Sequence, residues 1–285
     1  MIGEPGGKDW GANEAGMKQM DDNIGMVIAK LEQVGQLDNT IVVFITDNGA
    51  EVITFPDSGV TPFKGGNLTT WEGGMRAPCV IRWPGHIKPG TVLNEIFASL
   101  DWVPTFVDIA GGPKGDSLKK QIEAGKHPEI IKTRLDGVDQ RAYLEGTSDK
   151  SAGDSFFYYS NSTSSAVRYK NWKMYYTMSG TGPTSETLGK TTYGWTMVGN
   201  IRRDPFEIAG GLEDIKTTMA VGGAIASPST AYLYDWNMLP LGQLLWLKEL
   251  MAYKELPPLQ APETYNLDEI LAEMRAARTA SHVGE

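Results

Sequence analysis

The stretch IVVFITDNGAE, residues 41–51, constrains this chain more than any other. Ile41, Val42, Val43, Phe44 and Ile45 are an unbroken run of apolar β-formers. Such a run without polar alternation predicts a strand covered on both faces, as in the parallel sheet of an α/β domain. The run stops at Thr46-Asp47-Asn48-Gly49. Asp-Asn-Gly is ordinary turn chemistry, because Asn and Asp tolerate left-handed backbone and Gly favours it. It is equally a place for a site: ligands of open α/β sheets bind beyond the carboxyl ends of strands, and a carboxylate beside an amide oxygen offers two hard donors to a divalent cation. The strand end alone leaves both readings open.

The flanking sequence extends the α/β pattern. Met17, Met20, Ile24, Val27, Ile28, Leu31 and Val34 recur at helical spacing, with Gly35 at the expected C-terminal end, so an amphipathic helix leads into the strand. CVIRWP (79–84) predicts a second strand and TVLNEIF (91–97) an extended segment. SLDWVPTFVDIAGG (99–112) predicts a short helix, with Ser99 or Asp101 as its cap, Pro104 in the first turn and Gly111-Gly112 as its end. Residues 1–145 are thus expected to form an α/β portion. Beyond them, SFFYYSN, SAVRYKNWKMYYTM and STAYLYDWN are aromatic-rich with partial alternation and predict antiparallel strands, with Lys170-Asn171 as a hairpin turn. LLWLKELMAYKEL and NLDEILAEMRAAR predict helices, and TMAVGGAIASPST a loop. Residues 146–285 are expected to form a smaller antiparallel-sheet and helical subdomain.

Composition narrows the function classes. The chain carries 26 basic and 35 acidic residues among 285, a net charge of −9, without a Lys/Arg cluster, so nucleic acid is not an expected partner. No apolar run reaches the roughly 20 residues of a membrane span, and MIGEPGGKDWGANEAG has neither the basic nor the apolar region of an export signal. Cys79 is the single cysteine, which excludes an intrachain disulfide and a Cys-rich metal framework. Lying on a predicted strand, it is expected to be a small buried thiol.

Downstream of Asp47 and Asn48, GVTPFKGGNLTTWEGGMRAP (59–78) sets Lys64 and Arg76 among glycines. Glycines let backbone N–H groups approach an anion, and a lysine among them supplies a point charge for a sulfuryl or phosphoryl oxygen. The Walker A spacing is absent, and a solvated surface loop is the plainer alternative. Trp71 is expected to pack under the loop and Arg76 to fix it through carbonyls or Glu72.

QLDNTIVVFITDNGAE, TPFKGGNLTTWEGGMRAPCVIRWPG, DWVPTFVDIAG, LDGVDQRAYLEG and AVRYKNWKMYY, in this order, resemble the C-terminal half of a sulfatase of the arylsulfatase type, and NIRRDPFE and ELPPLQAPETYNLDEILAEM resemble the end of a bacterial branch of that family. The resemblance implies an alkaline-phosphatase-like α/β fold with one Ca²⁺ (or Mg²⁺), acting on a sulfate-ester small molecule or a sulfated glycan; the family is often periplasmic or secreted. It also implies that Asp47 and Asn48 are two metal ligands and that Lys64 contacts the substrate sulfate. A phosphatase or phosphonate monoester hydrolase of the same superfamily, or a non-catalytic module that binds sulfated ligands or a partner chain, are the alternatives.

Such sulfatases attack sulfur with a formylglycine made from Cys or Ser in Cys/Ser-x-Pro-x-Arg, and no such motif occurs in the 285 residues. Cys79 is followed by Val80 and Ile81, and the Ser-Pro pair Ser227-Pro228 lies in the wrong half. Asp21-Asp22 read as the solvent face of a helix, and His86, His127 and His282 match no catalytic histidine. The expectation is half an active site, not competent alone, with apolar faces and strand edges that a complementary N-terminal segment would cover.

Overall fold

The computed structural model describes residues 11–51, 61–127, 129, 133–160, 163–178, 191–208, 235 and 237–256. Its backbone divides into two units, one holding the described residues within 1–94 and 141–150, the other those within 95–140, 151–179 and 189–285.

In the first unit, α1 spans Ala12–Gln33. It ends in a Schellman motif: Gly35 takes φ +67, its N–H donates to the Glu32 carbonyl, and the Gln36 N–H donates to the Leu31 carbonyl. The periodic face is present, but none of the helix's residues is buried; Met20, Ile24, Ile28 and Leu31 are half-buried, while Met17 (61 %), Met26 (63 %) and Val27 (60 %) are exposed. A single 3₁₀ turn, Leu37–Asn39, then delivers the chain to β1, Val42–Ile45.

β1 pairs with β2, Cys79–Arg82, with Val42 opposite Arg82 and Ile45 opposite Cys79. This pairing is antiparallel, whereas the apolar run predicted a parallel neighbour. The run reports apolar surroundings and carries no information on strand direction. Burial on both faces is also not met: Val42, Val43 and Phe44 are half-buried, Ile45 is exposed, and Val80 opposite Phe44 is 64 % exposed. Cys79 is exposed rather than buried, although partial enclosure of its sulfur pushes the thiol pKa up. Arg82 anchors this end of the strand pair, donating to the Leu37 carbonyl and to Asp38 at 2.7 Å each. The short helices α2 (Glu72–Met75) and α5 (Arg141–Leu144) complete this unit.

In the second unit, α3 spans Trp102–Ile109 after a 3₁₀ turn at Ser99–Asp101. Gly111 and Gly112 close α3 with the same bond pattern as α1, to Asp108 and Val107. Asp101 occupies the N-cap position, but its carboxylate does not cap the helix. It accepts instead from the Ala98 N–H, the Val138 N–H and Gln140 Nε2, all at 2.9–3.0 Å, and so ties the start of α3 to a segment 37 residues on. Residues 91–97 are irregular, not a strand. A further helix, α4 (Ser117–Glu123), buries Leu118 and Ile122.

Four strands follow, β3 (Ser155–Ser160), β4 (Thr163–Tyr169), β5 (Trp172–Met178) and β6 (Thr191–Asn200), in an antiparallel sheet of that order. Lys170 takes φ +52 in the expected β4–β5 turn, where Tyr169 lies opposite Trp172. One face carries a core of Val167, Met174 and Val198, against which Leu239 and Leu245 of α6 (Leu239–Glu255) pack. Gly242 permits the approach, since a Cβ there would lie 2.8 Å from Met174 Cγ, and its carbonyl accepts the Tyr176 hydroxyl at 2.9 Å. On the other face Lys173 (0 % exposed) donates to Glu207 (1 %) at 2.8 Å, and Tyr175 donates to the same carboxylate oxygen at 2.7 Å. The expected 266–278 helix, the 218–230 loop and most of the 229–237 strand lie outside the described residues. No helix among the described residues is long and apolar enough to cross a membrane.

Candidate functional site

The strand end and the lysine loop are joined by backbone hydrogen bonds. Thr46, the first residue past β1, donates its N–H to the Pro78 carbonyl at 3.4 Å and its hydroxyl to the Asn48 carbonyl at 2.9 Å. Gly49 then donates to the Gly74 carbonyl at 2.9 Å, Asn67 to Ala50 at 2.8 Å, and Gly73 to Lys64 at 2.8 Å. The contact requires glycine: a Cβ on Gly49 would collide with the Gly73 carbonyl, and one on Gly73 would lie 2.5 Å from both the Lys64 and Gly65 carbonyl oxygens. Asp47-Asn48-Gly49, the Lys64-Gly65 turn and Gly73-Gly74 are therefore one clasp. Asp47 is exposed and Asn48 half-buried.

The clasp rests on buried side chains. Trp71 is 3 % exposed and carries the Lys64 ammonium 4.2 Å from its ring centroid. Glu72 is 1 % exposed and accepts Arg76 Nε at 2.8 Å, while the Arg76 guanidinium lies 4.4 Å from the Phe63 ring centroid. Thr69, also buried, donates its hydroxyl to the Gly66 carbonyl at 2.7 Å. Phe63 joins the clasp without any periodic pattern to mark it; an aromatic preceding the lysine, with an arginine twelve positions beyond the lysine, is its one sequence signal.

Asp47 and Asn48 offer oxygen donors of the hard type that Ca²⁺ or Mg²⁺ takes. Two such side chains fill a minor part of a shell of six to eight oxygens, and the described residues hold no group of three or more His, Cys, Asp or Glu fit to bind a metal. Of the histidines, His86 stacks on Trp83 at 4.1 Å and bonds Glu145 at 2.8 Å, and His127 bonds Gln121 at 3.2 Å.

The structure joins a mixed α/β fold to a glycine-built strand-end clasp carrying an acid, an amide and a lysine. Residues 13–112 match the family model described as Sulfatase. Mouse steryl-sulfatase is 32% identical over 177 residues, covering 58% of this chain and 26% of that protein. Human arylsulfatase A is 34% identical over 144 residues, covering 50% of this chain and 25% of that protein. Among solved structures, the PsFucS1 sulfatase from Pseudoalteromonas sp. superimposes with a TM-score of 0.67 at 26% identity, covering 86% of this chain and 43% of that one. These matches make the chain similar to sulfatases, most directly over residues 13–112. The chain spans about a quarter of the length of these curated relatives and under half of the solved one.

Proposed function

We propose that this chain contributes the metal-and-lysine side of a sulfate-ester hydrolase site. Asp47 and Asn48 are two of the oxygen ligands of a Ca²⁺ or Mg²⁺ ion, and Lys64 contacts a sulfate oxygen of a small sulfate ester or a sulfated glycan. The observation that carries this reading is the clasp, because the bonds from Gly49 to Gly74 and from Gly73 to Lys64 tie the backbone of the strand end to the backbone of the lysine turn. Preorganised positive charge lowers the barrier where negative charge develops, and a bound cation adds Lewis-acid polarisation of the ester oxygen. Lys64 supplies the protein's share by holding an anionic oxygen as the S–O bond lengthens. Trp71 and Arg76 frame the loop.

The nucleophile comes from a segment other than these 285 residues, so the chain alone does not turn over substrate. That segment also covers the exposed apolar side chains of α1 and β2, since large uncovered apolar patches mark interaction surfaces. The test is calorimetry and turnover of the purified chain with 4-nitrophenyl sulfate and Ca²⁺. Expected are Ca²⁺-dependent binding weakened at least about tenfold by Lys64→Ala, as for loss of a charge-assisted contact, and no sustained hydrolysis. Hydrolysis abolished by Lys64→Ala would overturn the claim of incompetence, and binding indifferent to both Ca²⁺ and Lys64 would overturn the site.

A further inference from the structure

The Lys64 ammonium lies 4.2 Å from the centroid of a tryptophan ring that is itself buried. At that range the negative face of the ring attracts the cation, and indole does so most strongly among the aromatic side chains. Both partners are held by backbone. Gly73 donates to the Lys64 carbonyl at 2.8 Å, and Gly65, at φ +73, lies so close to the indole that a Cβ there would sit 2.8 Å from Trp71 Cβ and 2.9 Å from Cδ1. A second cation–ring contact, Arg76 over Phe63 at 4.4 Å, crosses the same two segments in the opposite sense, and its arginine is fixed by the buried Glu72. The backbone positions from which the ring and the lysine stem project are thus fixed relative to one another.

We propose that Trp71 is the positioning residue of Lys64. The indole holds the ammonium in one place, so that Lys64 meets an anionic oxygen as a fixed charge rather than as the mobile end of a flexible four-carbon stem. The functional consequence rests on the reading of Lys64 as the sulfate contact; the pairing with Trp71 does not.

Acetic anhydride reacts with the neutral amine, so a ring that stabilises the ammonium slows labelling of Lys64. The experiment labels the full chain at substoichiometric reagent and reads each lysine by peptide mass spectrometry, with the exposed Lys88 and Lys114 as internal references. Trp71 is replaced by mono-, di- and trifluorotryptophan, which weakens the ring's negative face at nearly constant volume, and by leucine. The Lys64 rate relative to the references is expected to climb with each fluorine and to rise about threefold to tenfold in Trp71→Leu, the range a cation–ring contact of this kind supports. A rate flat across the fluorinated series would overturn the proposal, whatever Trp71→Leu does, because packing alone would then explain the ring. Should the leucine variant fail to fold, the fluorinated series still decides. Repeating the labelling with 4-nitrophenyl sulfate and Ca²⁺ tests the site itself: failure to protect Lys64 would count against the sulfate contact, while the fluorine trend would still stand for Trp71.

Discussion

In the antiparallel sheet, Val167, Met174 and Val198 are at most 2 % exposed and α6 lies against them, whereas in the unit that carries Asp47 the helix α1 buries no residue and Val80 of β2 is 64 % exposed. The sheet satisfies its pattern with its own strands and one helix. The α1–β1–β2 region presents a helical stripe and a strand run whose covering layer the described residues do not supply. Periodicity therefore reports that a face calls for cover without reporting which segment covers it. The clasp of Asp47, Asn48 and Lys64 follows directly on this open strand, so among the described residues the clearest functional chemistry adjoins uncovered apolar surface, with buried Trp71 and Glu72 beneath the clasp itself.

The comparison is broken most forcefully at the buried ion pair. Lys173→Met leaves the Glu207 carboxylate buried beside Tyr175 without this cation, a change that costs about 3–5 kcal/mol when a buried pair is cut. Val80→Ser in the exposed strand is expected to move stability by no more than about 0.5 kcal/mol. Denaturant unfolding followed by circular dichroism measures both. Equal losses would show that β2 is as tightly built as β5, and the contrast between the regions would fail.

A finer measure is amide hydrogen exchange. Amides of β4 and β5, which flank the core, are expected to exchange at least about a hundredfold more slowly than those of β1 and the middle of α1, because local opening is cheapest where few apolar contacts are lost. The difference should shrink if a complementary polypeptide seats on the open region. Matching protection in the isolated chain would mean that α1 and β1 are stabilised by something other than burial.

Much of this was legible in the sequence. The helix ending at Gly35, the strand at 42–45, the hairpin at Lys170 and the close of α3 at Gly111 each follow from a local rule about periodicity or backbone freedom. The two cation–ring pairs of the clasp were not, because they join positions seven to thirteen residues apart through a loop of no regular period. Direction of the β1–β2 pairing was hidden for a related reason: an apolar run is the same read either way. Asp101 has the composition of a cap and bonds to Val138 instead, and Lys173 carries a charge that composition assigns to the surface. In both, a partner more than thirty residues away overrides the local preference.

The smallest expected effect sets the two regions against each other through pH. Burial pushes the Glu145 pKa up, but hydrogen bonds from His86 and Arg141 outweigh it and hold the group below its ordinary 4.5; in Glu249, burial wins over Arg134 and the pKa is raised. A lowered carboxylate binds fewer protons folded than unfolded, so Glu145 stabilises its region above pH 4.5 and that contribution is lost as the pH falls below it. A raised carboxylate does the reverse: Glu249 favours the folded sheet and α6 at low pH, and its contribution falls as the pH rises from 4.5 through the raised value. Glu249→Gln should therefore flatten the loss of stability on the alkaline side of 4.5, and Glu145→Gln the loss on the acid side, each shifting Tm by no more than about 2 °C. Thermal melts of the two variants across pH 3.5 to 7, about the range in which carboxylates titrate, measure this directly. If both variants flatten the same limb, the opposite electrostatic signs of the two regions are wrong.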